Sequence, residues 1–319
     1  MNTPTLLACA TLAMSTAAAD AASLSRNVEF DANGTRLVGT LHLPSTYRSG
    51  EKLPALLVTG SWTTVKEQMP DRYAREMAER GYASMTFDFT GYGESGGTIR
   101  NWESPVLKVA DIKAAAAALK AMPEVDATKV GGLAICASAG YMAQAINEGA
   151  PLKAFGAIAG WFHDPSTVGL IYGGSKGVKA LIEKGNAALA KFRAGGAIDY
   201  VKAFHYTDKS APMSGPFDYY GKADRGAIPQ WANQFAVMAW VEWLTYDAVS
   251  QGKALRVPSL FVHGDNAALP MNVKAIYEAI EAPKELIWSP TTPHLDFYDQ
   301  PAPVKASADA AAQHFARHL

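Results

Sequence analysis

The chain is short of cysteine: its 319 residues hold two, Cys9 and Cys136. Cys9 falls in a stretch that reads as a leader, so the rest of the chain has no second thiol for an internal disulfide. Charge in excess of one sign is also missing. Lys and Arg number 29 against 30 Asp and Glu, a net charge of -1. That balance gives no electrostatic pull toward nucleic acid or an anionic membrane surface. Seven histidines are present, but no pair of them has metal-ligand spacing, and Cys136 has no cysteine partner. Neither a metal nor a cofactor is therefore expected. No segment is long and apolar enough to anchor the chain in a bilayer, and no internal repeat is visible.

Residues 1–22 are small and apolar, from Leu6-Leu7-Ala8 to Ala21-Ala22. They read as a signal peptide with an Ala-x-Ala cleavage site near Ala19 or Ala21, although Lys and Arg are absent ahead of the apolar run. Export to a periplasm or the medium is the expectation, with a cytoplasmic protein as the alternative. The remaining 23–319 fit one domain carrying an insertion.

Strand and helix patterns alternate along that domain. Asn27-Val28-Glu29-Phe30 and Arg36 to Leu43 flank Asn33-Gly34, a hairpin turn signal. Leu53 to Thr59 and Tyr82 to Phe89 are apolar runs of the buried, parallel type. Helical spacing follows each, over Pro70–Arg80 and Pro105–Met122. Further strands are expected at Val130–Ile135, Leu152–Ala159, Leu255–Gly264 and Lys284–Trp288, with helices at Val273–Ala282 and Val304–His318. Between Trp161 and Gly252 strand patterning lapses, and Trp, Tyr and Phe are scattered among helical segments. Alternation of this kind implies a mostly parallel sheet covered on both faces.

The stretch Val130-Gly-Gly-Leu-Ala-Ile-Cys-Ala-Ser-Ala-Gly140 is a strand, a turn of very small residues and a helix start. That is the setting of a nucleophile elbow, where a strained residue is tolerated only if its neighbours are small. The pattern fits in two registers. Ala134 to Ser138 puts Cys136 at the apex; Cys136 to Gly140 puts Ser138 there. The first leaves a compact six-residue strand and is preferred, with Ser138 as the alternative nucleophile. A thiol at a helix N-terminus beside an imidazole is expected to ionise readily.

On Gly60-Ser61-Trp62-Thr63-Thr64, Phe87-Asp88-Phe89-Thr90-Gly91-Tyr92-Gly93-Glu94-Ser95 and Ile135-Cys136-Ala137, the chain resembles the α/β-hydrolase superfamily, most closely its dienelactone-hydrolase-related group. The resemblance implies an eight-stranded sheet with a helical cap inserted after the sixth strand, here about 161–252. It also implies the order nucleophile, acid, histidine. The acid position falls in Gly264-Asp265-Asn266-Ala267, where Asp265 is the candidate; the commoner spacing would land on Ala267, which carries no carboxyl. The histidine after the last strand is His294, with His163 in second place. His314 and His318 are expected on the surface of the terminal helix. The oxyanion donors are expected from the backbone of Ala137 and of Ser61 or Trp62. Asp88 and Glu103 lie near the expected site, Glu103 reading as a loop salt bridge with Arg100 or Lys66.

The implied chemistry is hydrolysis of a carboxylic ester, thioester or lactone through a Cys (or Ser)-His-Asp triad and an acyl-enzyme. Trp161, Phe162, Tyr219, Tyr220, Trp231, Trp240 and Trp243 would either line an apolar pocket for a small-molecule ester or lactone, or pack cap against sheet. A non-catalytic binder on the same fold is the rival reading.

Overall fold

In the computed structural model, residues 24–319 are described; the stretch 1–22 expected to be a signal peptide, with Cys9, lies outside them. Eight strands form one sheet: β1 (Leu24–Ala32), β2 (Thr35–Leu43), β3 (Leu53–Thr59), β4 (Ala83–Phe87), β5 (Val125–Ile135), β6 (Phe155–Ile158), β7 (Ser259–His263) and β8 (Lys284–Trp288). Their spatial order is β1-β2-β4-β3-β5-β6-β7-β8. Only β1–β2 and β2–β4 are antiparallel; the other pairs are parallel. The mostly parallel sheet is the one that the alternation of patterns implies, and its eight strands are the number that the resemblance implies.

Helices α1 (Met69–Glu79), α2 (Pro105–Lys120), α3 (Ser138–Asn147), α4 (Gly174–Arg193), α5 (Ala239–Thr245), α6 (Pro270–Ala279) and α7 (Pro301–His318) connect and cover the strands. Capping explains α2 locally: the Ser104 hydroxyl accepts the Leu107 N–H at 3.3 Å, and Pro105 takes the first helical position. Two adjacent glycines on β5 let the two covering layers close on it. A Cβ on Gly131 would stand 2.7 Å from the Phe315 ring of α7, and one on Gly132 would stand 2.3 Å from the Met142 sulfur of α3. Successive strand residues point to opposite faces, so the pair marks the centre of the sandwich.

The boundaries moved in places. β5 begins at Val125, five residues before its apolar run, because Leu53 of β3 pairs with Val125 across a register shift. β6 contracts to four residues, and α6 starts at Pro270. The segment between β6 and β7 is mixed, holding α4 and α5 together with two two-stranded pairings, Gln234–Ala236 with Tyr200–Lys202 and Phe204–His205 with Met213–Ser214. Those strands are two or three residues long, too short for a period-two pattern to show. Among the described residues no helix is long and apolar enough to cross a membrane.

Candidate active site

Four loops leave the carboxyl ends of β3, β5, β7 and β8 at one edge of the sheet, where open parallel sheets place their crevice. The β5 loop brings Cys136, held at φ +57°. An L-residue resists that conformation, and tight bonding enforces it. The Cys136 N–H donates to the Ile158 carbonyl at 3.1 Å, and its carbonyl accepts from Trp161 at 2.9 Å and Ala139 at 3.1 Å. With both backbone groups committed, the turn cannot relax without losing hydrogen bonds.

From the β8 loop comes His294. Its Nε2 lies 3.4 Å from the Cys136 sulfur and 3.0 Å from the Tyr298 hydroxyl. Its Nδ1 accepts the backbone N–H of Ala268, in the β7 loop, at 3.1 Å. Asp265, three residues before Ala268, is exposed, and the Nδ1 face of His294 is filled by that amide. The structure thus brings Cys136 and His294 together and leaves Asp265 outside. Its charge acts instead on His263, whose Nε2 is bonded to the Ala268 carbonyl at 3.1 Å.

Ser138 is turned inward. Its hydroxyl donates to the Ile135 carbonyl at 3.1 Å and accepts from Thr59 at 2.9 Å, and it does not line the cavity. His163 is also committed: Trp161 donates to its Nδ1 at 3.0 Å, and its Nε2 donates to the Trp243 carbonyl at 2.7 Å. It ties the segment after β6 to α5.

The β3 loop separates the two oxyanion candidates. The Ser61 amide is directed at the Met69 sulfur, 3.5 Å away. The Trp62 amide, with that of Ala137, faces the Cys136 sulfur and favours its charged form. Thr63, next in the chain, sits at φ +58° and is pinned at both ends. Its N–H donates to Glu103 at 2.9 Å, and its carbonyl accepts from the Trp231 indole at 2.7 Å.

Glu103 is therefore no loop salt bridge with Arg100 or Lys66. It is fully buried and paired with Lys108 at 2.7 Å, and it also accepts from Tyr92 and Tyr141. Arg100 donates to backbone carbonyls, and Lys66 binds Asp88 at 2.9 Å. Lys108 sits five residues on, in α2, while Glu103 precedes that helix, so no helical spacing announces the pair and only the packing brings them together. His314 is another correction: it is buried, with Nδ1 3.3 Å from Glu285. Among the described residues two clusters could share an ion, Glu67–Asp88–Glu94 and Glu285–His314–His318. The Lys66 ammonium is bound to all three carboxylates of the first, and Arg317 is bound to Glu285 in the second.

Tyr298, not singled out from sequence, and Tyr220, expected in the lining or the cap packing, each bring a hydroxyl to 3.1 Å from Ser61 Oγ. Tyr298 lies one helical turn beyond His294, a spacing that places two side chains on one face. Above the site opens a cavity of about 350 Å³. Trp161, Tyr220 and Trp243 line it, joined by Tyr172, Met213 and Phe217. Phe162, Tyr219, Trp231 and Trp240 are packed in the core instead. No Asp, Glu, Lys or Arg is among the described residues of the lining.

Burial governs the electrostatics. It pushes the Cys136 thiol up; hydrogen bonds from Ser61, Tyr298 and the amides of Ala137 and Trp62 oppose it without prevailing. Burial, aided by His263, pushes His294 down to about 3. Both shifts favour a neutral thiol and a neutral imidazole over the ready ionisation that a helix N-terminus would promote. A helix terminus is worth at most about 2 kcal/mol, less than the desolvation of a buried charge.

The family described as X-Pro dipeptidyl-peptidase (S15 family) matches residues 33–296. Protein PA2218 of Pseudomonas aeruginosa is 29% identical over 282 residues, 84% of this chain and 74% of that protein. The crystal structure of PA2218 superposes with a TM-score of 0.82 at 28% identity, covering 94% of this chain and 95% of that one. YcjY of Escherichia coli is 26% identical over 295 residues, 89% of this chain and 94% of YcjY. A dienelactone hydrolase from Anabaena variabilis shares the fold, with a TM-score of 0.55 at 14% identity over 93% of this chain and 99% of that one.

Proposed function

We propose that this chain, which belongs to the X-Pro dipeptidyl-peptidase family (S15 family) and is an α/β-hydrolase enzyme, hydrolyses a carboxylic thioester, ester or lactone through an acyl-enzyme on Cys136. The observation that carries the reading is Cys136 at a positive-φ apex, 3.4 Å from His294 Nε2, at the floor of an apolar cavity.

Cys136 Sγ attacks the acyl carbon, and the thiol proton passes to the departing group. The Ala137 and Trp62 amides hold the oxyanion. Collapse expels the leaving group and leaves an S-acyl cysteine. Water then attacks that acyl carbon, releasing a carboxylic acid and restoring the thiol. His294 presents Nε2 to the sulfur and to the Tyr298 hydroxyl, and that hydroxyl, able to donate and accept at once, is the group that passes protons. The working unit is thus a Cys136–His294 pair, with Asp265 acting only from the surface. Ser138 supports the turn through its bonds to Ile135 and Thr59.

Peptide substrates fit less well. An X-Pro dipeptide presents a free ammonium group, and the described lining offers no carboxylate to receive it. Residues 1–22 are proposed to direct export; N-terminal sequencing of secreted protein would locate the cut.

The test is intact-mass analysis after mixing with an activated aryl ester. The wild type should gain one acyl group, and a kinetic burst of phenol should accompany it. Cys136→Ala should lose both, while Ser138→Ala should keep the acyl adduct. Turnover lost only in the Ser138 variant, or cleavage of an X-Pro anilide at a comparable rate, would reject the proposal.

A further inference from the structure

The β7 loop narrows the substrate class. We infer that the site turns over acyl donors whose leaving group departs as a stable anion, thioesters above all, and discriminates against alkyl esters and amides of the same acyl group. This rests on the assignment of Cys136 as nucleophile.

The argument starts at His294 Nδ1. Because it accepts the Ala268 N–H at 3.1 Å, it must present a lone pair there. The proton of the neutral ring is then on Nε2. An imidazolium would need a second N–H on Nδ1, donor facing donor. In a Ser-His-Asp triad a carboxylate accepts that proton and stabilises the imidazolium. Here an amide occupies its place, and the residue before it is Ala267.

The amide is not free to turn away. The Ala268 carbonyl is bonded to His263 Nε2 at 3.1 Å, and the Ala267 N–H donates to the Gly264 carbonyl at 3.1 Å. Asn266 Nδ2 donates to the Thr291 carbonyl at 3.2 Å, tying the loop to the one that carries His294. Gly264 itself is pressed on the backbone that follows β8, since a Cβ there would lie 1.7 Å from the Ser289 carbonyl oxygen. The burial that holds His294 down to about 3 acts in the same direction.

A site that cannot hold imidazolium has no strong acid to give to a departing group. The consequence falls on the tetrahedral intermediate, which can expel either Cys136 or the leaving group. A thiolate leaving group has a pKa near that of cysteine, about 8.5, so the two departures compete evenly. An unprotonated alkoxide is nearly as basic as hydroxide, whose parent water has a pKa of 15.7, so the intermediate returns to substrate instead. If the leaving group responds with the slope of about 0.4–0.5 found for thiols in disulfide exchange, a gap of roughly 7 pKa units corresponds to about a thousandfold in rate.

For a thioester the step is balanced. The Cys136 Sγ–acyl bond forms, the acyl–sulfur bond of the substrate breaks, and the thiol proton of Cys136 ends on the departing thiol. Nothing is oxidised or reduced.

Two substrates with one acyl group decide the matter: the N-acetylcysteamine thioester and the ethyl ester of 3-phenylpropanoic acid, with the wild-type protein. The readouts are acid released and Cys136 acylation by intact mass. The expected result is acylation by the thioester and a kcat/KM ratio of about 10³ in its favour. Aryl esters of rising phenol pKa should fall steeply in rate along the series. Ethyl-ester turnover within tenfold of the thioester, with Cys136 acylated, overturns this inference and leaves the nucleophile assignment standing. A flat aryl-ester series does the same. Failure of either donor to acylate Cys136, with hydrolysis surviving Cys136→Ala, removes the assignment and this inference together.

Discussion

The carboxylate of Glu103 accepts the backbone N–H of Thr63 at 2.9 Å, across 40 residues of chain. Through that bond a fully buried Glu–Lys pair beneath the site fixes the loop that presents the Trp62 amide. Removing one member of a buried pair leaves an uncompensated charge, at a cost of about 3–5 kcal/mol. Glu103→Gln should lose that much stability in urea unfolding. The double variant Glu103→Gln, Lys108→Met should recover part of it. Additive losses in the double variant would show that the two side chains are not coupled.

Tyr298 donates to or accepts from three groups at once: His294, Ser61 and the Cys136 sulfur. One of its effects is to favour the Cys136 thiolate. Tyr298→Phe keeps the ring and deletes the hydroxyl. Alkylation of Cys136 by iodoacetamide at pH 8 should slow by about fivefold, the worth of roughly 1 kcal/mol. The thermal midpoint should move little. An unchanged alkylation rate would detach this hydroxyl from the thiol.

The apex conformation makes its own prediction. At φ +57° a side chain is strained and glycine is not. Cys136→Gly should therefore be more stable than Cys136→Ala by about 1 kcal/mol, although glycine buries less surface. Chemical unfolding of the two inactive proteins measures the difference directly, and the reverse order would mean that the turn relaxes when the thiol is removed.

Buried imidazoles set the acid limit. Burial lowers His294 to about 3 and both His163 and His263 to about 4. Each binds its proton more readily in the unfolded chain, near pH 6.5. Stability from these three is complete above pH 6.5 and declines as pH falls toward 4. Asp111 works in the opposite sense, since burial raises it to about 6 and folding then favours its protonated form below that pH. These four groups together contribute roughly two protons, a slope of about 3 kcal/mol per pH unit between 6 and 4 from them alone. Urea unfolding at pH 7, 6 and 5 reads it, and a flat profile would contradict the burial of these rings. At the alkaline end the sign follows from the raised Cys136 thiol: the unfolded thiol ionises first, so its contribution is lost as pH rises through the ordinary cysteine range.

Local pattern determined a great deal by itself. The alternation of apolar strands with capped helices, the Asn33-Gly34 turn and the small residues around Cys136 depend on neighbours a few positions away. Such signals are written into the chain, and they were enough for the sheet, its mostly parallel order and the sharp corner at residue 136. What stands on each face of the site was decided in three dimensions. The resemblance put the acid at residue 265, against the commoner spacing, yet packing set the Ala268 amide on His294. Burial, which no local pattern reports, made the thiol and imidazole neutral and joined Glu103 to Lys108. Hydrogen-bond partners 158 residues apart, like Cys136 and His294, are chosen by how strands stack. Desolvation then depends on the finished shell around them, so the charge state of the site is a property of the tertiary structure alone.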